Sequence, residues 1–428
     1  LRKTYPKGFF VIVVVGAGAA GLVAAIFART SGQPVRLLER TSDGGRKILI
    51  SGGGRCNILP SILRPETFVT DSPAHLLRGI LRSWPLAAQR QFFEEEVGIP
   101  LALEAESGKL FPASNKARDV RDGLVTLARR RGVEVQYDTT MTGLSAGASG
   151  SADRWLIDTS RGPITASSVI LATGGLSVPL TGSDGTGLRL AEALGHHVHP
   201  LYPALTPLIG AMPGDAHLAG ISLNVRIKAK ADGRTRESAG GFLFTHRGYS
   251  GPSVLDVSHV AVRSREYAGA TLRVSWTNRR EAEWAQDLAE TTGRVASVVA
   301  RHLPERLADA LCADAGLPHD RRGPELRREE RLALLERLTA YALPWTGNEG
   351  YKKAEVTGGG VALTDVDPRT LESRRHPGLF LCGEMLDAFG PIGGYNFAWA
   401  WATGRAAGLG AAPAVQSHRE ARRPRSQE

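Results

Sequence analysis

The sequence predicts an α/β chain built on a doubly wound parallel sheet, interrupted by a β-rich segment and then by a helical one. Three observations predict it. An apolar run at residues 10–15 leads into glycines 16, 18 and 21 and an alanine-rich stretch, the pattern of a doubly buried parallel strand turning into a helix. Two later apolar runs, 168–171 and 378–382, also end at glycine. Between them, residues 222–244 carry period-two alternation and 280–347 read as helices, as antiparallel strands and a helical segment do.

The first unit is the most informative. Gly16 permits a tight turn, Gly18 lets backbone approach a pyrophosphate, and Gly21 allows a helix to pack closely on the strand. Amides at the start of that helix direct partial positive charge at phosphates. A second strand, 35–38, ends at Glu39, where a carboxylate can accept hydrogen bonds from a ribose. Strand, glycine turn, helix, strand and acid in one compact unit point to a bound dinucleotide.

That fingerprint does not choose between NAD and FAD, and the rest of the chain must. A second glycine loop follows at 51–57, flanked by Lys47 and Arg55; bare amides plus fixed cations suit an extended anionic cofactor. Residues 118–131 read as a helix and 132–136 as a short strand. Residues 155–158 and 163–166 read as a hairpin. The strand at 168–171 enters Ala172, Thr173 and Gly174, which can pass beneath an adenosine. The strand at 378–382 ends in Gly383 and Glu384, an acid for ribityl hydroxyls. Beyond it, 393–397 opens a helix whose positive end suits the flavin edge that gains negative charge on reduction. The reading is FAD.

Five stretches, 16–21, 45–57, 241–253, 352–361 and 383–404, together resemble the bacterial aminoacetone-oxidase-type flavoproteins, a group that includes BaiN-like (YhiN-like) bile-acid dehydro-reductases. They span almost the whole chain. The resemblance implies one FAD in a Rossmann-like, glutathione-reductase-type domain, interrupted by a β-rich domain and a helical domain. It places Gly16, Gly18, Ala19, Ala20 and Gly21 at the pyrophosphate and Glu39, with Arg40 beside it, at the ribose. Lys47 and the loop of Ser51, Gly53, Gly54, Arg55, Cys56 and Asn57 lie along the cofactor, and Val135 lies near adenine. Gly383, Glu384, Asn396 and Phe397 meet the ribityl chain and ring. The expected divisions are 1–195 and 351–412 for the FAD domain, 196–278 for the β-rich domain, 279–350 for the helical one and 413–428 for a disordered basic tail.

Composition bounds the remainder. With 428 residues and 42% hydrophobic content, the chain can fill a large core and more than one domain. The formal charge of +10 is mostly dispersed arginine, read as solvated surface with an attraction for anionic small molecules; a nucleic-acid partner is not expected. Cys56, Cys312 and Cys382 lack metal-ligand or CxxC spacing, so neither zinc nor a disulfide framework is expected, and free thiols fit the cytoplasm. His196, His197 and His199 read as an exposed loop. Arg2, Lys3 and Lys7 precede an apolar stretch resembling a leader or membrane span, but the three glycines interrupt it, and a soluble chain is expected.

The chemistry implied is hydride transfer between a small organic substrate (amine, ketone or enone) and flavin N5, with dioxygen or NAD(P)H as the other redox partner. No residue is firmly assigned as proton donor; His246, Tyr249 and Lys352 are candidates by residue type. A dithiol relay is not expected, because Cys56 has no partner thiol nearby. Two competing readings are a flavoprotein that binds or modifies RNA, served by the basic charge and arginine-rich helices, and a non-catalytic flavin-binding regulator.

Overall fold

A computed structural model describes residues 10–147, 154–212, 217–264 and 269–412. The cationic N-terminal residues and the basic tail 413–428, expected to be disordered, lie outside the described residues. The chain divides into two compact units. The first is Leu1–Gly175, Leu180–Pro200 and Gly359–Glu428; the second is Leu176–Pro179 and Leu201–Gly358.

In the first unit, five parallel strands follow the spatial order Leu379–Leu381, Ser168–Leu171, Ile12–Val15, Val35–Leu38 and Glu134–Gln136. Val15 aligns with Leu38 and Leu171, Leu171 with Leu381, and Leu38 with Gln136. All five strands therefore finish close to one level. The apolar runs are buried on both faces, which is why they lack alternation.

The helix after the glycine turn, Ala19–Ala28, packs along the last helix, Tyr395–Ala411. Contact is intimate because Gly404 and Gly408 face it: a Cβ on either would lie 2.4 Å from the carbonyl oxygen of Ala20 or Ala24. The helical reading of 118–131 corresponds to Ala117–Arg130. Residues 74–97 form three helical segments. Pro85, which has no N–H to donate, separates Ala74–Arg82 from Leu86–Gln91, and the chain then widens into the π-helical turn Phe92–Val97.

The histidine segment also departs from its reading as an exposed loop. His196 is buried, with Nδ1 on the Ala191 carbonyl at 3.0 Å and Nε2 on Ser373 Oγ at 2.8 Å. His199 lies in the strand Val198–Ala204. Packing against neighbours distant in sequence makes this a structural histidine.

The second unit is a seven-stranded antiparallel sheet around the long pair Ser222–Ala231 and Arg234–Phe244, which turns at Asp232 and Gly233. Helix Pro252–Val262 covers one face. Helices Glu281–Glu290, Val295–Val299, Glu305–Asp314 and Arg328–Thr339 follow, with Gly293, Pro304, Gly316 and Pro324 lying between them. Sheet and helices share one hydrophobic core containing Phe242, Phe244, Trp276, Trp284 and Leu311. The β-rich and helical segments are thus one compact unit, with edges near 200 and 358 against the sequence divisions at 195, 278 and 350. Among the described residues, no helix is long and apolar enough to cross a membrane.

Candidate cofactor site

In open α/β sheets, ligands bind outside the carboxyl ends of the strands. Here the five strand ends deliver Gly16, Glu39, Val135, the 172–174 segment and Gly383 with Glu384 to that one edge. Strand register brings these sequence-predicted residues together, whereas Lys47, the 51–57 loop, Asn396 and Phe397 lie on other elements of the unit.

The glycine turn separates two kinds of requirement. Gly16 has φ +102°, donates its N–H to the Leu38 carbonyl at 2.8 Å, and a Cβ on it would lie 2.5 Å from the Ala172 oxygen. A Cβ at Gly21 would lie 1.8 Å from the Gly16 oxygen. Both are glycine because protein packs there. A Cβ at Gly18 meets nothing within 4 Å; its backbone faces open space, the condition for a pyrophosphate to approach. The helix beginning at Ala19, next to Ala20, has no side-chain cap and no acidic residue in its first turn, leaving its amides for an anion. The residues present fit the dinucleotide.

Glu39 is 7% exposed and held rigidly. One oxygen accepts the Ala17 N–H at 2.8 Å; the other accepts the Thr41 N–H at 2.8 Å and the Thr41 hydroxyl at 2.7 Å. The oxygen that accepts only from Ala17 retains acceptor capacity, so the carboxylate is fixed with one site left for a ribose. Arg40 is engaged elsewhere, on Asp184 at 2.5 Å and the Gly182 carbonyl at 3.3 Å. Burial works to raise the Asp184 pKa, but hydrogen bonds from Arg40 and Thr186 prevail and hold it at about 2.

The turn that leads toward the second glycine loop is tied to the first, Gly45 donating to the Ala17 carbonyl at 2.8 Å. Helix Arg46–Ile50 then presents Lys47, whose ammonium meets Glu384 at 2.6 Å. Ser51 Oγ donates to the Ile48 carbonyl at 2.7 Å. Gly52, Gly53, Gly54 and Cys56 all adopt positive φ, a backbone path that glycine permits. Arg55 lies over the Phe111 ring at 4.0 Å and pairs with Glu104 at 3.0 Å. Burial pushes the Cys56 thiol up to about 12 and the Cys382 thiol up as well. Neither is a ready nucleophile, which agrees with the expectation of no dithiol relay. With its amide oriented to satisfy both partners, Asn57 accepts the Gly394 N–H and donates to the Leu59 carbonyl, each at 3.2 Å.

From the other side, Thr173 donates its hydroxyl to the Met385 sulfur at 3.3 Å, and Gly174 has φ +73°. Gly383, with φ +76°, donates to Thr403 Oγ1 and accepts from the Trp399 indole. Asn396 clasps both backbone groups of Gly390, and Phe397 stacks on Trp401 with centroids 5.2 Å apart. These two side chains shape the loop opening the last helix.

Two residues of the edge escaped the sequence reading. Arg121, nearly buried, donates to the carbonyls of Asp43 and Gly44 at 3.4 Å, bracing the turn before helix Arg46–Ile50. Asp387 is 2% exposed and gathers, on one oxygen, the N–H groups of Asp71 and Ser72 and the hydroxyls of Thr70 and Ser72, all at 2.8–2.9 Å. A second acid three residues beyond Glu384 was the available signal for it. The candidate proton donors lie in the second unit. His246 and Lys352 are exposed, whereas Tyr249 is 0% exposed among Phe242 and Phe244 in the core.

Sheet order and glycine turns place the chain among the dinucleotide-binding α/β proteins. The model of the HI0933-like protein Rossmann domain matches residues 10–410. The chain belongs to this family and is an FAD-dependent oxidoreductase. It is 32% identical to the ribosomal RNA dihydrouridine synthase of Escherichia coli (strain K12) over 92% of this chain and 96% of the relative. It is 31% identical to the 3-dehydro-bile acid delta(4,6)-reductase of Clostridium scindens over 94% of this chain and 98% of the relative. Among solved structures, the 3-ketosteroid delta1-dehydrogenase of Sterolibacterium denitrificans shares the fold, with a TM-score of 0.50 at 12% identity, covering 93% of this chain and 98% of that one.

Proposed function

We propose that the chain reduces a carbon–carbon double bond conjugated to a carbonyl. One observation carries the reading: two relatives, each aligned over more than nine-tenths of this chain, act by their names on unlike molecules that share this bond. Dihydrouridine is uridine with its ring double bond, conjugated to a carbonyl, saturated. A delta(4,6)-reductase of a 3-dehydro bile acid saturates bonds conjugated to a 3-oxo group. FAD, once bound and reduced, would supply the hydride for the carbon β to such a carbonyl, and a proton would complete the α carbon. NAD(P)H is the electron source in this reading, and dioxygen drains the flavin unproductively.

The chain's own residues bind and orient. In this reading the amides of 16–21 hold the pyrophosphate and Glu39 the adenosine ribose, beside Val135 and the 172–174 segment. Lys47 and Glu384 flank the ribityl chain. The 51–57 loop and the helix opening at Gly394 line the flavin's pyrimidine edge, where the helix's positive end favours the reduced state. His246 and Lys352 are the candidate proton donors; the buried position of Tyr249 suits packing instead.

The test is anaerobic. Chemically reduced holoprotein is mixed with a conjugated steroid ketone, with its saturated analogue, or with uridine-containing RNA. Return of the oxidised flavin band with a conjugated substrate, and a product two hydrogens heavier, is expected. Failure of every conjugated substrate to reoxidise the flavin overturns the reading.

A second reading narrows the double bond to that of a uracil in ribosomal RNA. The +10 charge favours it, as does the activity that names the Escherichia coli relative. RNA treated with the reduced protein then carries dihydrouridine, detectable by mass spectrometry of its nucleosides.

A further inference from the structure

The arginine-rich helices do not hold free charge for RNA in proportion to their composition. Arg279 pairs with Asp287 at 2.5 Å, Arg294 with Asp309 at 2.5 Å, Arg321 with Glu330 at 2.8 Å and Arg337 with Asp314 at 2.7 Å. A second group of cations, with weaker or no ion pairs among the described residues, lies on the antiparallel sheet of the second unit.

Strand Ser222–Ala231 alternates strictly: Val225, Ile227 and Ala229 point into the core, while Arg226, Lys228 and Lys230 point to solvent. Side chains two residues apart on one face stand about 7 Å from each other. On the neighbouring strand, Arg273 lies directly opposite Lys228. Like charges facing each other across a strand pair destabilise a sheet, so this fold carries a repulsion that packing does not require. Lys228 and Lys230 form no ion pair among the described residues. The counter-charges present are weak: Arg226–Glu237 at 3.2 Å and Arg273–Glu336 at 3.5 Å have side chains about half exposed, where ion pairs contribute little. On the other neighbouring strand Thr235 and Ala239 are neutral and Glu237, opposite Lys228, is the one acid, already shared with Arg226, so the four cations outnumber the carboxylates paired with them, Glu237 and Glu336.

We infer that this sheet face is a docking surface for the phosphodiester backbone of RNA, with Arg226, Lys228, Lys230 and Arg273 as phosphate contacts. The inference rests on the uracil-in-RNA reading. Charge complementarity carries it: an anionic backbone replaces the like-charge repulsion with attraction. No aromatic side chain stands among the named face residues, so the face would position RNA without reading its bases.

The experiment compares FAD-loaded wild type with the triple variant K228Q/K230Q/R273Q. Binding to fluorescein-labelled ribosomal RNA, transcribed in vitro, is titrated from about 50 to 300 mM salt, alongside anionic phospholipid vesicles. Each phosphate contact removed lowers the log–log salt slope by about 0.7–0.9. The expected variant slope is shallower by about 2–3, with at least ten-fold weaker RNA binding near 100 mM salt. Its melting temperature is expected to be equal or higher, and its flavin reoxidation by a conjugated steroid ketone unchanged. An unchanged slope and affinity for RNA overturns the surface while leaving the RNA reading standing. A variant defect confined to the vesicles overturns it in favour of a membrane-facing role. Wild type that binds no RNA overturns both surface and RNA reading, while the conjugated-ketone reading survives on the flavin assay.

Discussion

At Gly18 and Gly21 an added methyl group meets opposite surroundings, and the two substitutions separate cofactor binding from folding. Gly21→Ala drives a Cβ into the Gly16 carbonyl oxygen, a backbone clash no rotamer relieves, so apoprotein stability is expected to fall by several kcal/mol, on the order of 3 or more. Gly18→Ala touches no protein atom, so the apoprotein melting temperature should hold while FAD affinity falls at least ten-fold, about 1.4 kcal/mol or more, read by flavin fluorescence titration. Equal effects of the two on melting would sink this division of roles. Cys56, with its thiol held near 12, is expected to resist iodoacetamide at pH 8 in the folded protein and to react on unfolding. Roles like that of Glu39 are legible because they depend on local spacing from one turn. Those of Arg121 and Asp387 are not, because their partners lie 77 and 315 residues away, and no periodicity records such meetings.

Asp387 ties the 70–72 segment to the loop that leads into the last helix, through four hydrogen bonds to one oxygen. Asp387→Ala leaves buried donors without an acceptor and is expected to cost about 3 kcal/mol or more; Asp387→Asn, which keeps an oxygen, should lose less, as denaturant titration would show. In helix Pro252–Val262, burial first, then the charges of Arg236 and Arg263, depress the His259 pKa to about 3. Its unfolded value is near 6.5. A depressed folded value means the stability is complete above about 6.5 and drains away as pH falls toward 3. At pH 5 the loss is about 2 kcal/mol. Melting temperature should therefore drop between pH 7 and 5, and His259→Gln should flatten that slope; an identical slope in the variant refutes the assignment. Strands and most helices were legible at this scale, since each carries its own period. The π-helical turn after Pro85 and the burial of His196 were not, because tertiary packing decides both.

At the scale of the molecule, FAD should raise the melting temperature by mass action, about 2.7 kcal/mol of stabilisation at a hundred-fold excess over Kd, an increment that Gly18→Ala should blunt. The two-unit division was only partly legible. Alternation and helical periods distinguish the 222–244 and 280–347 segments, yet Trp276, Trp284 and Leu311 join them in one core, and a shared core leaves no mark on local pattern. The first unit, meanwhile, is gathered from stretches interrupted by residues 201–358, and its sheet gains an outer strand from Leu379–Leu381. A ribosome making this chain emits the glycine turn about 360 residues before the outer strand and the last helix that complete the same sheet edge. Colour should thus appear only after residues 379–411 have emerged, and nascent fragments lacking that stretch should be unable to retain the pigment.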